Sequence, residues 1–248
     1  MPFLPLKDDN PLKVISFQVV TVSIIVACVA VFLWQLSVGA AGERRIAVTL
    51  GMVPALLFGT RELPAAYAIV PAELTLLTSM FLHGGWMHLI GNMAYLWVFG
   101  DNVEDAMGHS RFLVFYLICG VAGGLAHAGF NPDSVIPTVG ASGAISGVLG
   151  AYLVMHPKVK VLVLAFYRLP IRLPAYIVLG GWIAMQGYFV LTDPGGGQGG
   201  VAWWAHIGGF LAGLLLIVPF RRAQVPRVQV PRVQVKAPPR RRGPWSKP

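Results

Sequence analysis

The sequence predicts an all-α polytopic membrane protein, and its composition, its long apolar stretches and the distribution of its basic residues all point to this class. Of its 248 residues, 56% are hydrophobic and 12% are charged, whereas soluble domains carry roughly 25% charged residues. The mean hydropathy is +0.67. A span needs about 20 apolar residues, and the stretches 14–38 and 200–220 are long enough to cross a bilayer unaided.

Six transmembrane helices are expected once polar interruptions are allowed. They cover residues 14–37, 81–100, 112–130, 142–156, 174–192 and 202–220. Together they form a membrane domain over 14–220, between a cytoplasmic segment 1–13 and a basic tail 221–248. The fourth span is short, so its N-terminus is expected to begin below the membrane surface.

The first span has an alternative interpretation as a cleaved secretory signal, because Val38, Gly39 and Ala40 are small enough to resemble a cleavage position. Its apolar region exceeds the 7 to 15 residues of a signal sequence. An uncleaved first helix is therefore expected. The segment 38–80 that follows is rich in Pro and Ala, and we expect it to lie partly in the outer interface, where long loops are often functional.

The basic residues predict the orientation. The formal net charge is +9, and placing both termini in the cytoplasm leaves only Arg44, Arg45 and Arg61 among the basic residues outside, as the positive-inside rule requires. The lack of a targeting peptide and the compact six-span core favour the cell (inner) membrane of a prokaryote.

The tail is predicted to be disordered and extended. Its sequence Val-Pro-Arg-Val-Gln occurs at 225–229 and again at 230–234, and proline every five residues forbids a helix. Anionic lipid is the expected partner of its basic side chains. Nucleic acid is not expected, since no folded nucleic-acid-binding module accompanies the tail.

Two polar residues in the apolar spans point to chemistry. Ser142 and His206 lie in segments without charge, where polar side chains are costly and usually functional. A serine nucleophile needs a base beside its hydroxyl. Small residues four apart let helices pack closely in lipid, so the glycines of the fourth and sixth spans are expected to bring this serine and histidine together. These glycines are Gly143, Gly147, Gly150, Gly209 and Gly213.

The second span supplies candidate donors for an oxyanion hole. His88 and Asn92 are four residues apart and share one helical face, and the backbone amide of Ser142 at a helix N-terminus would join them. His83 lies five residues before His88, which is the wrong spacing for a zinc pair on a helix. Neither a metal nor a cofactor is therefore expected. Cys28 and Cys119 are expected to be buried free thiols.

Ser146 shares the helical face of Ser142 and leaves three alternatives open. It is a rival nucleophile, a hydrogen-bond partner of His206, or a hydroxyl bonded to its own preceding carbonyl, as is common for serine in membrane helices. His109 and His156 fall at cytoplasmic helix ends, and His127 falls near the outer end of the third span, so these three are expected to be interfacial.

Four motifs together resemble the rhomboid family of intramembrane serine proteases. They are residues 83–92, 99–105, 140–143 and 205–209, and the resemblance covers about residues 70–220. It implies a six-helix membrane bundle that cleaves transmembrane substrates near the outer membrane face, with the substrate arriving between spans two and five.

The resemblance also implies a role for each matching residue. It makes Ser142 the nucleophile, His206 the base, and His88 and Asn92 the oxyanion hole. It assigns supporting roles to His83, Ser146, Gly140 and Gly143. It also makes Glu104 a structural residue of the cytoplasmic turn.

The chain departs from the family pattern at two places. Some rhomboids carry a Trp-Arg pair in the first loop, which residues 71–77 lack, and some stack an aromatic ring beneath the histidine where this chain has Ser146. Two other classes of function are weighed against the protease. A non-catalytic rhomboid-like protein that binds membrane clients would lose the serine or the histidine, and a transporter is a weaker option.

Overall fold

The computed structural model describes residues 3–165, 168–192 and 200–222, so the predicted disorder of the tail and its lipid contacts beyond residue 222 lie outside the described residues. The chain forms a helical bundle with one small sheet. The helices are α1 Val19–Ser37, α2 Gly39–Leu50, α3 Pro54–Leu57, α4 Thr75–Thr78, α5 Trp86–Met107, α6 His109–Phe130, α7 Ser142–Met155, α8 Ala175–Thr192 and α9 Trp203–Phe220, with 3-10 turns at Ala72–Leu74 and Ser79–Phe81. The strands are β1 Phe3–Asp8, β2 Lys160–Ala165 and β3 Leu169–Pro174.

In the described part of the chain, six helices of 14 to 22 residues correspond to the six predicted spans and confirm a polytopic helical membrane protein. Four of them, α1, α6, α8 and α9, are long and apolar enough to cross a bilayer. The helix α7 has only 14 residues, about 21 Å of rise, which is less than the roughly 30 Å of a hydrocarbon core. The helix α7 is therefore too short to cross the hydrocarbon core on its own.

The helix α5 ends later than predicted. We expected the second span to stop at residue 100 and Glu104 to belong to the cytoplasmic turn after it, but α5 continues to Met107 and carries Asp101, Glu104 and Asp105. This part of the prediction is wrong because the buried carboxylates have partners that the local sequence does not show.

Those partners are backbone amides near the start of α1. Glu104 accepts from the amides of Val20 and Thr21 at 2.9 and 2.8 Å, which are among the N-terminal donors that a helix leaves unpaired. Asp105 accepts from the amides of three residues before α1, namely Lys13, Val14 and Ile15. A negative charge at a helix N-terminus is favourable, so the end of α5 holds the start of α1.

The segment 38–80 contains more structure than the expected interfacial loop. It holds α2, α3 and α4, and its residue Met52 pairs with Thr138 through two backbone hydrogen bonds of 3.0 and 2.8 Å. The segment 38–80 thereby holds Thr138, which lies just before α7, in place.

The sheet was not predicted. Strand β1 pairs antiparallel with β2, and β2 pairs antiparallel with β3. Alternate residues of β2, including Val161 and Val163, are buried in the core. Since β1 precedes α1 and the other strands connect α7 to α8, the N-terminal segment and this connection lie on the same side of the bundle, as the six-span topology requires.

The centre of the bundle is formed by α6, α7 and α9, which pack against one another. A methyl group added at Gly209 would collide with the Gly143 carbonyl, and one at Gly213 would collide with the Gly147 carbonyl. The predicted glycine packing of the fourth and sixth spans is confirmed. Cys28 and Cys119 are buried and free, as expected.

Candidate active site

Ser142 is the first residue of α7, opposite the end that leads to the sheet. Just before it, Gly140 has a φ of +124°, and its amide donates to the Ser79 carbonyl at 2.9 Å. A Cβ at this position would lie 2.6 Å from His88 Nε2. Only glycine therefore permits both this backbone conformation and the close approach of the loop to α5.

The hydroxyl of Ser142 contacts a histidine on another helix. Its Oγ lies 2.8 Å from Nε2 of His206, which is the fourth residue of α9 and is 4% exposed. This distance is within the range needed for direct proton transfer. The close packing of α7 on α9 fixes this distance between Ser142 Oγ and His206 Nε2.

The other ring nitrogen of His206 has a partner that sequence analysis missed. Its Nδ1 lies 2.8 Å from Oε1 of Gln186 on α8, and Gln186 is 1% exposed. The available signal was the one that identified Ser142, since Gln186 is an amide in the otherwise apolar stretch 175–192.

Two polar side chains of α5 face the loop before Ser142. A Cβ added at Gly140 would lie 2.6 Å from His88 Nε2 and 3.6 Å from Asn92 Nδ2. The Asn92 amide nitrogen is buried and has no hydrogen-bond partner among the described residues. Leaving a buried hydrogen-bond donor without a partner costs about 1–3 kcal/mol. The Asn92 amide nitrogen is therefore available to donate a hydrogen bond to an oxygen atom of a bound group.

His83 lies beside this pair in the turn before α5. Its ring packs edge-on against that of His88, with centroids 5.3 Å apart. The side-chain amide of Gln35 on α1 accepts from the His83 amide at 3.0 Å and donates to its carbonyl at 3.3 Å. Helix α1 thus holds the turn that leads into α5.

Ser146 makes a local hydrogen bond. Its hydroxyl is buried and donates to the Ser142 carbonyl at 2.6 Å, which matches the third of the alternatives considered for it. Since residue 146 is not aromatic, the aromatic rings that contact His206 belong to Trp182 on α8 and Trp203 on α9. Their centroids lie 5.6 and 6.2 Å from that of the His206 ring.

The remaining histidines have other surroundings. His109 bonds to Glu104 at 2.5 Å, and His156 ends α7 with its ring against Tyr152. His127 lies near the end of α6, with a buried Nδ1 that has no partner in the described part of the chain. Within the described residues, no group of three or more His, Cys, Asp or Glu side chains could hold a metal ion.

The fold and this site define a class: a polytopic helical membrane protein with a serine and a histidine in contact within its bundle. A family model described as "Rhomboid domain" matches residues 71–223. The chain belongs to the rhomboid family.

Individual relatives match the same part of the chain. It is 38% identical over 144 residues to "Rhomboid protease GluP" of Bacillus subtilis, a match that covers 58% of this chain and 26% of the relative. It is 31% identical over 152 residues to "Rhomboid protein 1, mitochondrial" of Saccharomyces cerevisiae, covering 59% and 41%. With "Rhomboid-like protease 5" of Toxoplasma gondii it shares 37% over 144 residues, covering 55% and 15%. The matched region spans less than half the length of each of these relatives.

Proposed function

We propose that this chain is an intramembrane serine endopeptidase that cleaves transmembrane helices of other membrane proteins. The observation that carries the proposal is the 2.8 Å contact between Ser142 Oγ and His206 Nε2 within a membrane bundle. Family membership and the protease names of relatives support the same activity. The proposal includes the Ser/His pair as the catalytic dyad.

The first half of the reaction is acyl transfer. Ser142 Oγ attacks the scissile carbonyl carbon while its proton passes to His206 Nε2. The oxyanion receives hydrogen bonds from Asn92 Nδ2, from His88 and from the backbone amide of Ser142. The carbon–nitrogen bond then breaks, and the leaving amine takes the proton from His206.

The second half is hydrolysis of the ester on Ser142. Water attacks the acyl carbon and gives a proton to His206, and that proton returns to Ser142 Oγ as the second product leaves. In this scheme Ser146 is a structural hydroxyl, and Gly140 and Gly143 allow the close approach of α5 and α9. His83 keeps the turn before α5 in place.

We also propose cleavage near the outer face of the cell (inner) membrane, with both termini cytoplasmic. The positive-inside rule supports this orientation, because it leaves most basic residues on the cytoplasmic side. In this orientation the N-terminus of α7 faces the outside. The short length of α7 supports a position of Ser142 below the membrane surface. A substrate helix with small or helix-breaking residues would unwind there, after arriving between α5 and α8.

The test is cleavage of a model transmembrane substrate by reconstituted protein. We expect Ser142→Ala and His206→Ala each to lower kcat about 10³-fold or more, because the two residues act as a unit. Labelling by a fluorophosphonate should require Ser142. The matched control is Ser146→Ala, which should keep both cleavage and labelling.

Three results would contradict the proposal. They are cleavage retained by either dyad variant, labelling that moves to Ser146, and a folded wild-type protein that binds membrane clients without cleaving them. The last would favour the non-catalytic client-binding alternative.

A further inference from the structure

The structure points to a third residue that acts on the proposed dyad. We infer that Gln186 is a positioning residue that fixes the protonation of the His206 ring, so that Nε2 faces Ser142 as a hydrogen-bond acceptor. The inference rests on the proposed function for its kinetic consequence, although its structural part is testable separately.

The first step is the orientation of the Gln186 amide. Its Nε2 lies 3.1 Å from the carbonyl oxygen of Trp182, one turn earlier on α8. A backbone carbonyl only accepts hydrogen bonds, so the amide nitrogen must face it. The amide oxygen Oε1 is thereby turned toward His206.

The second step is the tautomer of His206. Because Oε1 of Gln186 only accepts, the ring nitrogen 2.8 Å from it, Nδ1, must carry the proton. In a neutral imidazole the other nitrogen then has a free lone pair. This nitrogen is Nε2, the atom that lies 2.8 Å from Ser142 Oγ.

The opposite tautomer would be unproductive. With the proton on Nε2, His206 would donate to the serine oxygen and have no lone pair there to receive the hydroxyl proton. Both tautomers fit the same heavy-atom distance to Ser142, so the partner on the Nδ1 side makes the difference.

A glutamine suits this position in a membrane helix. The α8 stretch around it is apolar, and an ionised carboxylate there would be costly to bury. The neutral amide supplies the acceptor without a charge, and the bonds to His206 and Trp182 satisfy its oxygen and its nitrogen. The contact also makes the tautomer of His206, which lies on α9, depend on the position of α8.

The kinetic test compares two substitutions of similar length. Gln186→Met removes the acceptor, and we expect kcat for a model transmembrane substrate to fall about 10- to 100-fold, less than the full value of a general base. KM should stay within about twofold, since Gln186 acts on the chemical step. Gln186→Glu keeps an oxygen acceptor in either protonation state and should recover most of the lost kcat.

The spectroscopic test uses ¹⁵N-histidine-labelled protein in lipid bilayers. The His206 signals are assigned by their loss in His206→Asn. We expect a protonated Nδ1 and an unprotonated Nε2 in the wild type, and a loss of this pattern in Gln186→Met. The control is Gln35→Met, which removes another buried glutamine of the bundle and should leave the His206 signals unchanged.

The outcomes separate the two proposals. A protonated Nε2 in the wild type, or a Gln186→Met protein with unchanged His206 signals, overturns the positioning role even if kcat falls. A kcat in Gln186→Met equal to that of the wild type also overturns it. A wild type that neither cleaves nor reacts with fluorophosphonate contradicts the proposed function instead, while the nitrogen signals still decide the role of Gln186.

Discussion

At the scale of single residues, the site is built from polar side chains placed where a membrane protein tolerates few of them. Ser142, His206 and Gln186 form a continuous chain of hydrogen bonds across α7, α9 and α8. Each of these groups has its partner inside the bundle. Asn92 differs, because its amide nitrogen is buried without one among the described residues.

Asn92 is therefore the residue whose removal should separate activity from stability. We expect Asn92→Ala to lower kcat about 10²-fold, the usual cost of losing one oxyanion donor. The free energy of unfolding should not fall, since no hydrogen bond of the Asn92 amide nitrogen is lost. Cleavage rates and thermal unfolding in detergent micelles measure the two effects.

The control for this prediction is Asn131→Ala. Asn131 ends α6, where its side chain donates to the His127 carbonyl at 3.0 Å, and its loss should leave kcat within about twofold. An unchanged kcat in Asn92→Ala would remove Asn92 from the oxyanion hole.

Sequence patterns single out some of these residues more clearly than others. Ser142, His206, His88 and Asn92 stood out because each lies within a short motif or at helical spacing. Gln186 has no such motif, and its role depends on the rotation of α8 relative to α9. That rotation is a property of tertiary packing that no local pattern in the sequence specifies.

At the scale of the elements, apolar length was a reliable guide to the long helices, and charge was a poor guide to where they end. The end of α5 was misplaced because Glu104 and Asp105 are paired with backbone amides 80 or more positions away in the chain. The sheet was missed for a similar reason. Its strands are six residues each and become stable only by pairing with one another.

The packing of α7 on α9 carries a prediction of its own. We expect Gly213→Ala to destabilise the protein by about 1–3 kcal/mol, as overpacking does, because the new methyl group would collide with the Gly147 carbonyl. Separation of the helices should also weaken the Ser142–His206 contact and slow fluorophosphonate labelling. Thermal unfolding and the labelling rate are the measurements.

A glycine on a neighbouring helix provides the control. A Cβ at Gly181 on α8 would have no atom within 4 Å, so Gly181→Ala should leave stability and labelling unchanged or slightly improved. If Gly213→Ala were as stable and as reactive as Gly181→Ala, close glycine packing would not be what holds the dyad together.

At the scale of the whole molecule, the two ends of α7 have different tasks. Its first residue is Ser142, and near its last turn Tyr152 donates a hydrogen bond of 2.5 Å to Asp8 of β1. This bond joins the N-terminal strand to the central helix of the bundle. Burial raises the pKa of Asp8 above its usual 3.8, although the hydrogen bond from Tyr152 opposes the shift.

The sign of the pH dependence follows from this shift. A carboxyl whose pKa is higher in the folded than in the unfolded protein binds more protons when folded, so its contribution to stability is lost as the pH rises. That contribution is complete below pH 3.8 and disappears as the pH passes through the raised pKa of Asp8. Above this range the fold holds a partly buried carboxylate at the junction of sheet and bundle.

Asp8→Asn should therefore flatten the dependence of thermal stability on pH in this range, because an amide still accepts from Tyr152 and does not ionise. The matched control is Asp9→Asn, which affects the neighbouring pair with Arg172, both of whose side chains are about half exposed. Exposed pairs contribute little to stability, and the charge of Asp9 is the smallest of the causes that act on the pKa of Asp8, so this variant should keep most of the pH dependence of the wild type. A pH dependence that persists in Asp8→Asn, or disappears in Asp9→Asn, would mean that the link between β1 and α7 is not what titrates.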